Sequence, residues 1–331
     1  MTFLKDKRVL MFAPKFFGYE NDIKEEMKKQ GADVHLYDER GNPSTFEKII
    51  IRKFPKFLKN KIYNYYESIV EIERNFCPEY IFFLSPETAT IDCIKLLKKQ
   101  FPCAIFILYM YDSIDNKNAK NIYKFFDKCF SFDQNDCEKF GFAFRPLFYV
   151  KSFESTQNST YKYDFCFIGS IHSDRAKILY KLKEQFDKNH FSYFYYLYIP
   201  GKLMLFLRTL LSKDVRKLKK QYIFTEAISK NEIAKISDSS KVIIDINHPK
   251  QVGLTIRTIE MLGLKKKILT TNENITNYDF YKPENQIVIS RTNICIPKEE
   301  ITEKYESVEE NIYKRYCIQE WIKEIFEGVK K

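Results

Sequence analysis

The fold is decided by one stretch of sequence, Val242-Ile-Ile-Asp-Ile-Asn-His-Pro-Lys-Gln-Val-Gly-Leu-Thr-Ile-Arg-Thr-Ile-Glu-Met-Leu-Gly263. Its first five residues, Val242–Ile246, form a nearly continuous apolar run, which is typical of a strand buried on both faces of a parallel sheet. A polar loop follows. A helix is then expected to begin near Leu254 and to end at Gly263, because glycine is a common C-cap. The stretch therefore predicts a strand, a loop and a helix in succession.

Short apolar runs alternate with longer amphipathic stretches along the whole chain, which predicts parallel sheets covered by helices. The strands expected in the first half are Val9–Ala13, Val34–Tyr37, Tyr80–Leu84, Ala104–Met110, Lys128–Phe132 and Phe144–Tyr149. Those expected in the second half are Tyr163–Ile168, Phe191–Ile199, Tyr222–Thr225, Val242–Ile246, Lys267–Thr271 and Gln286–Ile289. Between the two sets lies Ser152–Thr160, a polar stretch of small residues and the expected linker. The sequence thus predicts an α/β fold of two Rossmann-like domains facing across a cleft, over residues 1–151 and 161–307. Residues 308–331 follow, and helical spacing of apolar residues predicts one helix there, over Val308–Phe326.

The composition excludes several classes of protein. With 331 residues, 44% of them hydrophobic, the chain can form two cores of average size and is not disordered. Its longest apolar runs, such as Cys103–Tyr111, are far shorter than the roughly 20 residues of a membrane span. Because Met1–Phe12 also lacks the features of a signal peptide, we expect a cytoplasmic protein.

Cysteines and net charge say less about function. The eight cysteines are scattered without any C-x-x-C pair, which predicts buried, reduced thiols and no metal site. The net charge of +11 attracts phosphates of every kind, including nucleotides, anionic lipids and nucleic acid. The charge alone does not choose among these partners.

The loop and helix after Val242–Ile246 predict an anion site, because the amides and the dipole at a helix N-terminus favour negative charge. Gly253 allows the backbone to approach a phosphate closely, and Thr255 can either cap the helix or contact the phosphate. Arg257 and Glu260 are three residues apart and share one helix face. This pair suits a nucleotide sugar, with Arg257 at the diphosphate and Glu260 accepting hydrogen bonds from hydroxyls. A surface ion pair is the alternative that the same spacing allows.

A second anion site is predicted from Tyr163–Ala176, a strand that runs into Gly169-Ser170 and then into a helix with Arg175 in its first turn. The alternative is an ordinary strand–turn–helix with a solvated arginine. In the first half, Asp112 follows a buried strand and is expected to face the interdomain cleft. It could be the general base that deprotonates an acceptor hydroxyl, or it could cap the next helix.

The segment Lys202–Lys220 contains seven basic residues and one acid, Asp214. Its leucines fall on roughly one face of a helix. A basic amphipathic helix of this kind can lie in the interface of an anionic membrane. The alternative is a core helix whose basic side is solvated.

The chain resembles the bacterial lipopolysaccharide and capsule glycosyltransferases that are similar to the spore-maturation-protein-like group. Four stretches carry the resemblance: Leu10–Tyr19, Leu108–Ser113 with Phe130–Asp133, Tyr163–Ser170, and Gln251–Glu260 followed by Thr270–Asn272. The resemblance implies a GT-B fold with the acceptor on the first domain and the nucleotide-sugar donor on the second. It also implies that the last helix, which carries Trp321, crosses back to the first domain. The residues expected to bind the donor are Gly169, Arg175, Gln251, Gly253, Leu254, Thr255, Arg257, Glu260 and Asn272.

The resemblance implies a hexosyl- or related transferase that acts on a surface polysaccharide or a lipid-linked glycan, in the cytoplasm or at the inner face of the membrane. No metal or cofactor is expected beyond the nucleotide sugar, since the chain has no Asp-x-Asp motif. The motifs of dinucleotide-binding proteins, P-loop NTPases, zincins and serine hydrolases are also missing. A GT-B-like sugar-nucleotide epimerase or hydrolase is the alternative enzyme. A basic nucleic-acid-binding module is disfavoured because its motifs are absent.

Overall fold

A computed structural model describes residues 2–41, 59–116, 119–155, 160–218, 220–296, 301 and 304–327. The contacts divide the chain into two units, one formed by residues 1–146 and 318–331 and the other by residues 147–317. Each unit contains one six-stranded sheet with helices on the connections between strands. The predicted α/β fold with two Rossmann-like sheets is therefore confirmed.

The strands are β1 (Arg8–Phe12), β2 (Asp33–Tyr37), β3 (Tyr80–Leu84), β4 (Ile105–Met110), β5 (Lys128–Ser131), β6 (Ala143–Phe144), β7 (Tyr163–Ser170), β8 (Tyr193–Tyr198), β9 (Ile223–Phe224), β10 (Ser240–Asp245), β11 (Lys267–Thr270) and β12 (Gln286–Val288). The helices are α1 (Tyr19–Lys29), α2 (Lys59–Ile72), α3 (Ile91–Gln100), α4 (Ala119–Ile122), α5 (Gln134–Phe140), α6 (Arg175–Lys188), α7 (Lys202–Leu211), α8 (Lys213–Lys217), α9 (Lys230–Asp238), α10 (Ile256–Gly263), α11 (Glu310–Arg315) and α12 (Ile318–Phe326). No helix in these ranges is long and apolar enough to cross a membrane.

The first sheet has the strand order β2-β1-β3-β4-β5-β6, and all its strands are parallel. Helix α12 packs on this sheet through Trp321, whose fully buried ring lies 4.6 Å from the ring of Tyr109 and 6.4 Å from that of Phe82. The buried guanidinium of Arg145, just after β6, forms a 2.9 Å ion pair with Glu324 of the same helix. The C-terminal helix is thus an integral part of the first unit.

One continuous helix over Val308–Phe326 was expected, and that prediction is wrong. The structure has two helices, α11 and α12, with a break at Tyr316 and Cys317. At the break the Tyr316 carbonyl accepts the N–H of Tyr149 at 2.8 Å, and Cys317 forms a parallel bridge with Tyr149. This strand-like pairing replaces the next helical turn, so the helix ends there.

The second sheet has the order β9-β8-β7-β10-β11-β12, again all parallel. In chain order this is the 3-2-1-4-5-6 arrangement of dinucleotide-binding folds. From β7 the chain continues outward through β8 and β9. It then returns to β10, on the other side of β7, and continues outward through β11 and β12, so the strand order reverses between β7 and β10. Ligands of open parallel sheets bind at the carboxyl ends of strands at such a point.

Two details of the sequence prediction need correction. Gly263 is the last residue of α10, but it does not take the left-handed conformation of a capping glycine, because the positive φ of 53° belongs to Lys265. Gly263 is instead required by close packing, since a Cβ at this position would lie 2.4 Å from the Phe153 carbonyl oxygen. The eight cysteines are free, but Cys77, Cys103 and Cys295 are exposed because they lie in loops rather than in strands.

Candidate active site

The loops after β7, β10, β11 and β12 meet at the carboxyl edge of the second sheet, because these four strands are neighbours. The predicted donor residues all belong to the second unit. Gly169 lies in β7, Arg175 opens α6, the stretch from Gln251 to Glu260 runs through the next loop and α10, and Asn272 follows β11.

The N-terminus of α10 is built around Asp245, the buried last residue of β10. Its Oδ2 accepts hydrogen bonds from the hydroxyls of Thr255 and Thr258, each at 2.9 Å. Thr255 also caps the helix, because its Oγ1 accepts the N–H of Thr258 at 3.3 Å. Of its two expected roles, capping is the one that these contacts establish. The first amides of a helix have no partner within it, so this end still offers N–H donors to an anion.

Arg175 is not the solvated arginine of the alternative interpretation. Its Nε donates to the Ile246 carbonyl at 2.6 Å, and one of its terminal nitrogens donates to the Ser170 carbonyl at 3.0 Å. Burial, followed by the charges of Arg291 and Arg257, lowers the pKa of Arg175, although the opposite charge of Asp245 acts against them. Within the described ranges the side-chain hydrogen bonds of Arg175 go to carbonyl oxygens, so its positive charge is offset only by the nearby charges of Asp245 and Asp174.

Arg257 and Glu260 do contact each other, with 2.7 Å between a guanidinium nitrogen and Oε2. The pair is not the surface ion pair of the alternative, since the side chains are only 16% and 2% exposed. Arg257 lies close enough to Arg175 to lower the pKa of its guanidinium. The N-terminal turn of α10 therefore adds the charge of Arg257 to that of Arg175. Glu260 neutralises part of the charge of Arg257.

The remaining predicted residues shape the loop. The Gln251 side-chain amide donates to the Gly253 carbonyl at 2.9 Å, and that of Asn272 donates to the carbonyls of Val252 and Gly253 at 3.1 and 3.3 Å. Leu254 is buried in the core. These three side chains hold the turn that leads into α10.

Gly169 lies beside Phe167 and Arg175. A Cβ at this position would lie 3.1 Å from the ring of Phe167, which is a tight contact, and 3.5 Å from a guanidinium nitrogen of Arg175, which is an ordinary one. The Phe167 ring would therefore have to shift to admit a larger residue. The Arg175 guanidinium lies over that ring, 5.9 Å from its centroid, so Gly169 leaves room for the ring on which the arginine rests.

Sequence reasoning missed Arg291, which follows β12. Its guanidinium holds both carboxylate oxygens of Asp174, at 2.9 and 3.0 Å, and donates to the Asn247 carbonyl at 2.6 Å. It also contacts the Asn247 side-chain oxygen. The loops after β7, β10 and β12 are thereby tied together. An arginine just after a strand gave no motif that could have predicted this role.

Two histidines also lie at this edge, with their ring centroids 6.0 Å apart. Burial, followed by the charges of Arg175 and His248, lowers the pKa of His172 to about 4. His172 is therefore a neutral imidazole near pH 7. A neutral ring among arginines can exchange hydrogen bonds with a ligand without adding charge.

Asp112 lies in the first unit, two residues beyond β4, and is partly exposed. Its Oδ1 accepts the N–H of Ser113 at 2.9 Å. The next amide, that of Ile114, donates instead to Asp136 at 2.8 Å. Asp112 thus follows the carboxyl end of β4, and both its expected position facing a cleft and its role as a base stay predictions.

A second carboxyl group at this edge was not foreseen. Glu39 is fully buried, and its carboxylate accepts the amides of Glu87 and Thr88 at 2.9 and 3.0 Å. Burial raises the pKa of Glu39 to about 6. The Thr88 hydroxyl also donates to this carboxylate at 2.9 Å, so Glu39 fixes the loop that precedes α3.

Neither protein-family models nor curated proteins match this sequence, but solved structures do. Anabaena Alr3699/HepE in complex with UDP-glucose is 9% identical, with a TM-score of 0.63 over 97% of this chain and 98% of that one. The UDP-GlcNAc 2-epimerase of Methanocaldococcus jannaschii is 10% identical, with a TM-score of 0.57 over 97% and 100%. The lipopolysaccharide outer core galactosyltransferase WaaB is 9% identical, with a TM-score of 0.51 over 97% and 96%. The fold is GT-B. Since the matches cover nearly all of the chain, the likeness includes both units.

Proposed function

We propose that this GT-B protein is a glycosyltransferase that uses a UDP-sugar as donor. The observation that carries the proposal is the state of Arg175, which two backbone carbonyls hold at the carboxyl edge of the second sheet without a carboxylate partner among the described residues. The amides of α10 and the guanidinium of Arg257 add to this positive edge. Uracil is the proposed base because HepE has been crystallised with UDP-glucose, and the enzyme from Methanocaldococcus jannaschii with UDP-GlcNAc and UDP.

In the proposed reaction the oxygen of an acceptor hydroxyl attacks the anomeric carbon of the sugar. The bond between that carbon and the diphosphate oxygen breaks, and UDP leaves with the electron pair. Arg175, Arg257 and the α10 dipole stabilise the negative charge that develops on the diphosphate. Asp112 accepts the hydroxyl proton. In this proposal the arginines and the helix amides stabilise the leaving diphosphate, as a metal ion does in metal-dependent glycosyltransferases, and no cofactor is needed.

We further propose that the acceptor is a surface polysaccharide, of lipopolysaccharide or capsule type, or a lipid-linked glycan, and that it binds the first unit. The resemblance to the spore-maturation-protein-like group supports this assignment, and the similarity to WaaB is compatible with it. The carboxyl edge of the first sheet also presents aromatic surface, since the rings of Phe16 and Tyr111 stack at 4.5 Å and Phe17 is 69% exposed. On this proposal the enzyme works in the cytoplasm, at the inner face of the membrane.

A UDP-sugar epimerase is the second candidate. It is favoured by the similarity to several UDP-GlcNAc 2-epimerases, among them the one from Neisseria meningitidis in complex with UDP-GlcNAc. Such an enzyme would use the same positive edge without an acceptor. The two functions differ in their products, so they can be separated experimentally.

The first test is a thermal-shift screen with UDP, GDP, ADP and short oligonucleotides. We expect UDP to stabilise the protein, and Arg175→Met to abolish this effect. Lys177→Met, an exposed position in the same helical turn, is the matched control and should behave like the wild type. Stabilisation by DNA or RNA alone would refute every donor-site interpretation.

The second test follows UDP-sugars by NMR, with and without a bacterial glycan acceptor. A transferase releases UDP in quantity only when the acceptor is present. An epimerase converts one UDP-sugar into another without an acceptor, and a hydrolase releases free sugar. Conversion without an acceptor would replace the transferase assignment by the second candidate.

A further inference from the structure

Helix α7 (Lys202–Leu211) presents an unusual amount of apolar surface. None of its residues is buried. Six of its apolar side chains are at least 40% exposed: Leu203 (73%), Met204 (42%), Phe206 (63%), Leu207 (40%), Leu210 (60%) and Leu211 (82%). The alternative of a core helix is therefore wrong. An apolar patch of this kind marks a surface that contacts a partner or a membrane.

The helix is held in place even though its apolar face points outward. Leu205 packs against the core of the second unit, and the following helix α8 is anchored by the buried Val215. The Arg216 guanidinium donates to the Leu210 carbonyl at 3.1 Å, which satisfies one of the last carbonyls of α7. The patch is thus displayed from a fixed position and is not the exposed side of a loose segment.

The patch is bordered by positive charge. The described stretch from Lys202 to Leu218 carries five cations and one acid, Asp214. The cations are Lys202, Arg208, Lys213, Arg216 and Lys217. All of them except Arg208 are exposed. Apolar side chains bordered by lysine and arginine fit a surface whose outer layer is negatively charged and whose layer beneath is apolar.

We infer that helix α7, with the cations of α8, is the surface by which this protein docks on an anionic lipid bilayer. The lipid headgroups would meet the lysines and arginines, and the apolar side chains would enter the acyl boundary. A second copy of the chain fits less well, because a symmetric contact places the same patch on both partners and sets four exposed cations against four. The inference rests on the membrane location in the proposed function and names the surface that provides it.

The position of α7 connects this surface to the candidate donor site. Helix α7 begins four residues after the end of β8, which pairs in parallel with β7, so the start of the helix lies at the carboxyl edge of the second sheet. The charge of Arg208 in this helix is also among those that lower the pKa of His172 at that edge. A bilayer that contacts the outer side would lie close to that edge. An acceptor anchored in the membrane would then need little reach to meet the donor.

The test uses the 331-residue chain and vesicles of phosphatidylcholine mixed with phosphatidylglycerol. We expect co-sedimentation that weakens as salt screens the charges. Because each basic residue near an anionic surface contributes about 1 kcal/mol, or about fivefold, Lys202→Glu/Lys213→Glu should lower the partition coefficient roughly 25-fold or more. Lys99→Glu/Lys188→Glu makes the same change of charge at exposed positions of α3 and α6 and should bind like the wild type.

The apolar contribution is tested by Leu203→Ser/Phe206→Ser, with Ile72→Ser, at a position that is 70% exposed, as the control. The first variant should lose binding and the control should keep it. A fluorescent version, Phe206→Trp, should shift its emission to the blue on mixed vesicles. The natural Trp321 is fully buried and supplies a constant background.

Three results would overturn the inference. They are no binding of the wild type to mixed vesicles at low salt, binding that survives the substitutions in α7 and α8, and self-association that the Leu203→Ser/Phe206→Ser variant abolishes. UDP binding, measured in parallel, separates this question from the proposed function. Variants that lose vesicles but keep UDP affinity support the docking surface. A wild type that binds vesicles but not UDP contradicts only the donor site.

Discussion

The buried ion pair between Arg257 and Glu260 allows stability and ligand binding to be separated. Its atoms are 2.7 Å apart and its side chains are 16% and 2% exposed. Removing one partner of such a pair leaves an uncompensated charge in the interior and costs about 3–5 kcal/mol. Glu260→Leu should therefore lower the free energy of unfolding by about that amount. The double variant Arg257→Met/Glu260→Leu should recover most of the loss, because replacing a buried pair by apolar side chains is often close to neutral.

Binding should follow a different pattern. If Arg257 contacts the diphosphate, both Arg257→Met and the double variant should lose about 1.5–3 kcal/mol of the free energy of UDP binding. This is the typical contribution of a hydrogen bond to a charged group. This corresponds to roughly a tenfold to 150-fold weaker affinity. The double variant is thus expected to be nearly as stable as the wild type but deficient in UDP binding.

Urea titrations followed by circular dichroism measure stability, and calorimetry with UDP measures affinity. The ion pair between Arg74 and Glu71 is the matched control, since it has the same spacing and distance but is 60% exposed on both sides. Glu71→Leu should change stability by no more than about 1 kcal/mol. A stable double variant with wild-type affinity for UDP would show that Arg257 has only a structural role.

Three further predictions concern the first unit. Asp112→Asn should leave UDP binding intact but lower turnover about 100-fold, and transfer at the wild-type rate would exclude Asp112 as the base. Trp321→Ala should lower the free energy of unfolding by about 3–5 kcal/mol in urea titrations, because its ring fills the space over Phe82 and Tyr109. A loss no larger than the one caused by truncating an exposed side chain would contradict this packing. The raised pKa of Glu39 means that the folded state holds this proton more tightly than the unfolded chain, so its contribution to stability is greatest below pH 4.5 and falls by about 2 kcal/mol as the pH rises through about 6. Urea titrations at several pH values should show this loss in the wild type but not in Glu39→Gln, and equal pH dependence in both would refute the assignment.

The sequence predicted what depends on local pattern. Apolar runs of five or six residues became buried parallel strands, and the polar loop before Ile256 became the N-terminus of a helix capped by Thr255. The pattern could not show which side chains would turn inward. The spacing of Arg257 and Glu260 is the same in a buried pair as in a surface pair, and only the packing of α10 decides between them.

Long-range contacts were beyond the reach of sequence reasoning. Arg291 meets Asp174 across 117 positions of the chain, and no short motif records that meeting. The break between α11 and α12 likewise comes from Tyr149, which lies far earlier in the sequence and competes with the helix for the Tyr316 carbonyl. For Arg291 and Asp174 the topology of the second sheet brings the two loops to one edge. The pairing of Tyr149 with Cys317 lies outside the named strands and depends on how the chain folds around it.

The return of the C-terminal helix to the first unit has a consequence for how the protein is made. The strands of that unit are synthesised before the second unit, yet Trp321 and Glu324, which cover Tyr109 and neutralise Arg145, are synthesised after it. A ribosome adds roughly 5–20 residues per second, so the second unit can form while the first still lacks its closing helix. The apolar surface around Phe82 is then uncovered in the nascent chain for many seconds, and chaperones would meet the protein there.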